Sequence, residues 1–324
     1  MNFSLNDDQL ALQKGIRDFC EQEFPLDKLG VLEKQPVTRE RWRQLAEMGV
    51  FSLRLPEARG GVGLGLAETV IVFAELGRRL VPGPLVWSHL TAGVIEDAAS
   101  GDAIVGGIDD THPTNRPPLL EHASALDACV VLRRAGASSA PASAFAGREL
   151  ATPLDPLTPI RELAALPEGP RIADAARATE WRRDGALLTA ALQLGIAETT
   201  LELAVAYAKK REQFDRPLAS FQAIKHFAAD MLVRAECARA AVYAAGATCD
   251  DPAIGDPERA VSSARVVAGD AALKNARMCI QIYGGMGFVW EMPPHYFLKR
   301  ALVLEHAFGT SDDHCEFVAE RVAS

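Results

Sequence analysis

The sequence predicts a mainly α-helical protein with a small β region in its middle, and three observations carry that prediction. Residues 1–100 repeat apolar positions at helical spacing between recognisable caps. Residues 101–180 hold nine of the 19 prolines and only short apolar runs. Residues 181–324 return to a helix-forming composition, in segments long enough for a four-helix bundle. The expected organisation is an N-terminal helical domain, a reduced middle β domain and a C-terminal helical bundle, with those boundaries.

The first helix opens at Asn6, which can cap it while Gln9 reaches back, and Leu12, Ile16 and Phe19 then share one face. Thr38 starts a second helix that carries Trp42 and Leu45 and ends at Gly49. The glycine-rich loop "LPEARGGVGLG" leads to a third helix, Leu66 to Leu80, which "VPGPL" breaks. "AIVGGI" (103–108) and "ACVVL" (128–132) are brief, apolar and bounded by turn residues, so they read as strands. The stretch from "SSAPASAFAGREL" to "LPEGP" is compatible with strand or with irregular chain, because its prolines exclude most central strands. From about 186, "ALLTAALQLGIAETTLELAVAYAKKREQF" runs without proline, and an Asp184 before it reads most simply as its N-cap. Pro217 can start the next helix, with Phe221, Ile224, Ala228 and Met231 on one stripe. Asp256-Pro257-Glu258 is a capped start for a further long helix, closed by Gly284 and Gly285.

A formal net charge of −9 and a pI near 5.4 leave no basic face of the kind that nucleic-acid binding requires. No uninterrupted apolar run approaches the roughly 20 residues of a membrane span, and "MNFSLNDDQL" lacks the basic start and apolar core of a secretory signal. A cytoplasmic protein is expected. The six cysteines form no CxxC pair and no His/Cys spacing for zinc, so they read as buried or free thiols, with no metal. Trp42 and Phe73 read as core, and His226 and His306 as surface or hydrogen-bonded helix histidines.

Five local strings, in this order, carry a resemblance. They are "FSLNDDQLALQKGIRDF", "WRQLAEMGVFSLRLPEARGGVGL", "FAELGR", "YAKKREQFDRPLASFQAIKHFAADM" and "QIYGGMGFVWEMPPHYFLKRA". Over roughly 1–90 and 185–324 the chain resembles the acyl-CoA dehydrogenase family, flavoenzymes that introduce a double bond between Cα and Cβ of acyl-CoA thioesters. The resemblance implies FAD at a subunit interface, its pyrophosphate and adenine held partly by a neighbouring subunit. It implies cofactor contacts from Arg211, Gln213, Phe214, Gln222, Gln281, Gly284, Gly285 and Thr310. The chemistry suits them: Arg211 offers a planar fork of donors for a phosphate oxygen, Phe214 an aromatic face, and the glycines a backbone that a ligand can approach.

In most members of that family a glutamate directly before Gly-Thr near the C-terminus removes the α-proton of the thioester. In "LVLEHAFGTSDDH" the corresponding residue is Phe308, which takes no proton. Other members place the glutamate at the start of the first long bundle helix. Counted back without gaps from Tyr207, that position is Gly185, and Asp184, one residue away, serves only if the register shifts. The family's Thr-Glu-Pro-x-Ala-Gly-Ser-like and Trp-Ile-Thr-like strings, which seat the flavin ring, have no counterpart in 101–180.

The resemblance therefore implies a subunit without a catalytic base, completing the FAD site of a homologous subunit that carries the glutamate. Such α2β2 heterotetramers include actinobacterial ones acting on CoA thioesters of steroid side chains. Two alternatives stay open: a self-sufficient homo-oligomeric dehydrogenase using Asp184, and a flavin-free scaffold or binding protein of the same fold.

Overall fold

The computed structural model describes residues 5–112 and 116–323; Phe3 and Ser4 of the opening string lie outside the described residues. The helices are α1 (Asp7–Glu23), α2 (Leu29–Leu32), α3 (Arg39–Glu47), α4 (Leu66–Arg78), α5 (Leu85–Thr91), α6 (Ala175–Lys210), α7 (Gln222–Asp250), α8 (Pro257–Tyr283), α9 (Pro294–Leu304) and α10 (Ser311–Ala323). The strands are β1 (Val105–Asp109), β2 (Leu119–Glu121), β3 (Ala128–Arg133), β4 (Gly136–Pro141), β5 (Gly147–Glu149), β6 (Ile160–Leu163), β7 (Arg171–Ala173), β8 (Glu212–Gln213) and β9 (Arg216–Pro217). Two compact units emerge: one takes in the chain up to Val31, Leu66–Val81 and Leu187 onward, the other Leu32–Gly65 and Pro82–Ala186.

The helical unit is built on α4, α7 and α8 and the later part of α6, with α9 and α10 against α8 and α1 against α4. Helices approach this closely only where side chains are small. A Cβ on Gly195 of α6 would lie 2.0 Å from Ala74 O, and one on Gly77 of α4 would lie 2.1 Å from Leu192 O. Asn275, fully buried on α8, then ties three helices together: Nδ2 donates to Ala197 O at 3.1 Å and to Met231 O at 3.0 Å, and Oδ1 accepts from Arg234 Nε at 2.9 Å. Asp250 at the end of α7 accepts the amides of Leu66 and Ala67 at 2.8 Å, capping α4. By length and composition α6 could cross a membrane, yet 78% of its apolar window is buried inside the fold.

The second unit contains two small sheets. One has the order β1-β3-β4-β7, with β1 and β3 parallel and the other pairs antiparallel; the second has the order β2-β6-β5, all antiparallel. The small β region expected between the helical segments is thus present, as seven strands of three to six residues. The proline-dense stretch is more regular than its composition suggests, because Pro141 occupies the last residue of β4 and Pro170 precedes β7. At strand ends the missing N–H breaks no ladder.

Three of the expected caps are found, at Asn6, Thr38 and Asp256. Asn6 and Gln9 form a reciprocal capping box, Thr38 Oγ1 accepts the Arg41 amide at 3.3 Å, and Asp256 accepts the amides of Glu258 and Arg259 at 3.0 and 3.3 Å. Two helix starts differ from the sequence reading. α6 begins at Ala175, eleven residues before 186, capped by Asp174. Asp184 is therefore inside the helix and is not its cap. The early turns escape the sequence reading because "AARATEWR" is rich in charge and buries only Ala178 and Trp181. Pro217 starts no helix either. It closes the β8–β9 hairpin, and α7 starts five residues later at Gln222 after a single 3₁₀ turn at Leu218–Ser220.

Candidate functional site

Two stretches meet at one end of the helical unit through residues 76 apart in sequence. Tyr207 near the end of α6 stacks on Tyr283 at the end of α8, ring centroids 4.0 Å apart, and Tyr207 Oη donates to Tyr283 O at 3.4 Å. Leu218, Ile224 and Met278 pack on the same cluster. This joins the hairpin carrying Arg211, Gln213 and Phe214, the first residue of α7, Gln222, and the segment with Gln281, Gly284 and Gly285.

The hairpin turn is Phe214-Asp215, and both residues have positive φ, +55° and +59°. That geometry matches the twist of a two-residue hairpin but normally calls for glycine or asparagine. Phe214 is left 86% exposed, touching Phe221 edge-on at 6.1 Å, and Arg216 lies over the Phe221 ring at 4.0 Å. Arg211 is exposed and, among the described residues, pairs with no carboxylate. Gly284 has φ +61°, which accounts for a glycine there. Gly285 has no such reason: a Cβ on it would meet nothing within 4 Å of this chain. An open glycine backbone, an uncommitted guanidinium and a presented phenyl ring fit an extended anionic ligand such as a dinucleotide.

Thr310 is elsewhere. The would-be Cβ of Gly269 on α8 lies 3.1 Å from Ser311 Oγ, next to Thr310, and Gly269 is fifteen residues from Gly284, about 22 Å along the helix. Thr310 precedes α10, and Asp313 Oδ2 accepts from both its amide and its hydroxyl at 2.8 Å. The fold thus sorts the expected cofactor residues into two groups at different positions along α8.

Phe308 is 3% exposed and has φ +54°. Its carbonyl accepts from His314 Nε2 at 3.1 Å. Arg265, 0% exposed, sends Nη2 toward the carbonyls of Leu304, Ala307 and Gly309 and Nη1 to Gln193 Oε1. Burial pushes this guanidinium down to about 10, against the opposing pull of Glu305 3.8 Å away, so it stays charged at neutral pH. Sequence reading passed over Arg265; a lone arginine in the apolar string "SSARVVAG" was the available signal.

In the other unit, Asp184 is buried with both oxygens occupied: Arg54 Nη1 donates to Oδ2 at 2.7 Å, and Arg183 donates to Oδ1 through Nη2 at 2.8 Å and Nε at 3.0 Å. Beside it His89 is buried, its ring Nδ1 2.8 Å from Val50 O, and burial pushes its pKa down to about 4. Gly185 is also buried. His226 and His306 are exposed, as expected.

Residues 6–102 match the family described as "Acyl-CoA dehydrogenase, N-terminal domain", and residues 178–323 match "Acyl-CoA dehydrogenase, C-terminal domain". Acyl-CoA dehydrogenase IpdE2 of Mycobacterium tuberculosis is 36% identical over 280 residues, spanning 80% of this chain and 79% of that protein. Among solved structures, the ChsE4-ChsE5 complex of Mycobacterium tuberculosis superposes with a TM-score of 0.84 at 23% identity, covering 100% of this chain and 99% of the other. A Tcur3481-Tcur3483 steroid acyl-CoA dehydrogenase variant gives 0.84 at 21% identity, with 99% of both chains covered. At those identities the two structures speak for the fold alone, but the matched domains and the IpdE2 relationship decide the family: this chain belongs to the acyl-CoA dehydrogenases.

Proposed function

We propose that this chain is the base-less subunit of a flavin-dependent acyl-CoA dehydrogenase and completes the FAD site of a homologous subunit carrying the catalytic glutamate. One observation carries the reading. The family's base position is a buried Phe308, and the carboxylate nearest the alternative position, Asp184, is tied to two arginines. A proton acceptor must be within reach of the substrate Cα, and neither position offers one.

The bound flavin would supply hydride acceptance from Cβ. This chain's part is to hold it: Arg211 is suited to a pyrophosphate oxygen, Phe214 to stacking, Gln213, Gln222 and Gln281 to hydrogen bonding, and Gly284-Gly285 to close backbone approach. Thr310 is assigned to the same cofactor from its own position. The substrate class is acyl-CoA thioesters, and within it those of steroid side chains. That narrower assignment rests on the resemblance to two-subunit members of the family, of which a solved neighbour is named a steroid acyl-CoA dehydrogenase. We assign the complex to the cytoplasm and the domain boundaries to about residues 100 and 180.

Co-expression with a homologous, base-bearing subunit tests the reading. Flavin should be absent from the chain purified alone and present, with acyl-CoA oxidation, in the co-purified heteromer. Flavin and activity in the chain alone would instead establish a self-sufficient enzyme; flavin in neither preparation would leave a scaffold.

A further inference from the structure

The turn at Phe308 is held by more side chains than its length requires. Arg265 Nη2 lies 2.5 Å from Leu304 O and 3.3 Å from both Ala307 O and Gly309 O, while Nη1 is 2.7 Å from Gln193 Oε1. His314 takes Phe308 O with Nε2 and Ser262 Oγ with Nδ1, each at 3.1 Å, an arrangement met by the neutral ring with its proton on Nε2. Glu305 Oε1 accepts the Ser311 amide at 2.8 Å, and Asp313 takes the Thr310 amide and hydroxyl. Four carbonyls and two amides between Leu304 and Ser311 therefore find side-chain partners, where short exposed turns ordinarily rely on water.

The backbone so held is unusual. Phe308 at φ +54° and Gly309 at φ +100° are both in the left-handed region, which disfavours a phenylalanine. Such residues persist where their surroundings over-determine them, and they gather at functional sites. A buried guanidinium is a costly way to hold a loop, and here Nη2 is committed to the turn and Nη1 to α6, while the buried Nε has no hydrogen-bond partner among the described residues.

We infer that Arg265 is a positioning residue: through the carbonyls of Leu304, Ala307 and Gly309 it fixes the turn at 308–310 in a geometry set by the clamp rather than by the residue at 308. Loss of the carboxylate at 308 then leaves the scaffold standing, and Thr310 with the start of α10 stays in place for the cofactor. The second half of this inference rests on the flavin-subunit reading above; the first half does not.

Hydrogen–deuterium exchange of the full chain tests the first half. The segment 304–311 should exchange as slowly as α8. Arg265→Lys keeps a charge but offers a point donor in place of a fork. It should speed exchange in 304–311 by about tenfold, the loss of one charge-assisted hydrogen bond, with α8 unchanged. Gly269→Ala perturbs the clamp without altering a member, since its Cβ would lie 3.2 Å from Glu305 Oε2 and 3.4 Å from Arg265 Nη1, and should act in the same direction. Phe308→Leu should leave the segment protected. Fast exchange in the unaltered turn, undiminished protection in Arg265→Lys or Gly269→Ala, or lost protection in Phe308→Leu would each overturn the inference; if Arg265→Lys does not fold, the other two variants decide. Flavin retention in the co-expressed heteromer tests the second half. Arg265→Lys should lower it with assembly intact, and retention unchanged beside a loosened turn would break the link to the cofactor. A heteromer that binds no flavin at all would sink the functional reading and leave the exchange result standing.

Discussion

Arg54 Nη1 lies 2.7 Å from Asp184 Oδ2, and Arg183 Nη2 lies 2.8 Å from the other carboxylate oxygen. An aspartate engaged on both oxygens serves the fold before it serves chemistry. Asp184→Asn should therefore destabilise the chain by about 2 kcal/mol, below the full cost of breaking a buried ion pair because both arginines keep some water. In the heteromer it should leave turnover per folded complex unchanged. Urea unfolding and steady-state kinetics check the two halves; a loss of turnover at unchanged stability would revive Asp184 as a base.

His89, in the same cluster, makes stability depend on pH. Burial depresses its pKa from 6.5 to about 4, the Val50 carbonyl raises it in partial opposition, Arg54 lowers it and Asp184 raises it. The unfolded chain thus binds a proton below about 6.5 that the folded chain refuses. Its contribution is complete above pH 6.5, is lost as the pH falls toward 4 and levels off below that, a difference of about 3 kcal/mol. Unfolding curves of the chain and of His89→Gln at pH 7.5 and 4.5 should differ in their pH dependence by that amount, the variant being flatter.

The crossing of α4 and α6 depends on two glycines. Gly195→Ala would place a methyl 2.0 Å from Ala74 O and 2.6 Å from Arg78 N, and should cost about 3 kcal/mol of stability. Gly15→Ala is the control: on the exposed face of α1 its Cβ meets nothing within 4 Å, and the change should stabilise by about 0.5 kcal/mol. Thermal unfolding of the two variants should therefore move in opposite directions.

Arg211 and Phe308 bear opposite burdens in the proposed heteromer. Arg211→Ala should weaken flavin retention by about tenfold to a hundredfold, the range for one charge-assisted hydrogen bond to phosphate. Phe308→Glu in the chain alone should give no acyl-CoA oxidation, because the strings that seat the flavin ring are missing from residues 101–180. Activity in that variant would show a complete site lacking only its base, and unchanged flavin content in Arg211→Ala would remove the main support for the cofactor assignment.

Much was decided locally and could be read from the sequence. Asn6, Thr38 and Asp256 announce their helices because a cap is a contact between residues two or three apart. The strings around Arg211 and Gly284 carry the family resemblance because residue types at fixed spacing are displayed directly by the sequence. What depends on the rest of the chain was not legible. The start of α6 was misplaced because its first turns are charged, and only packing selects Ala178 and Trp181 as the inner face. Pro217 reads equally well as the first residue of a helix or the last of a hairpin, and the left-handed pair Phe214-Asp215 settles it. Asp184 reads as a cap in the sequence because its partner Arg54 is 130 residues away. Arg265 gave no signal in the sequence because its partners, the carbonyls of Leu304, Ala307 and Gly309, are 39 to 44 residues away. The physical reason is common to the start of α6, Asp184 and Arg265: capping and turn chemistry are short-range, whereas desolvation and ion pairing depend on which distant residues the fold brings together, and those energies are fixed only when the tertiary structure forms.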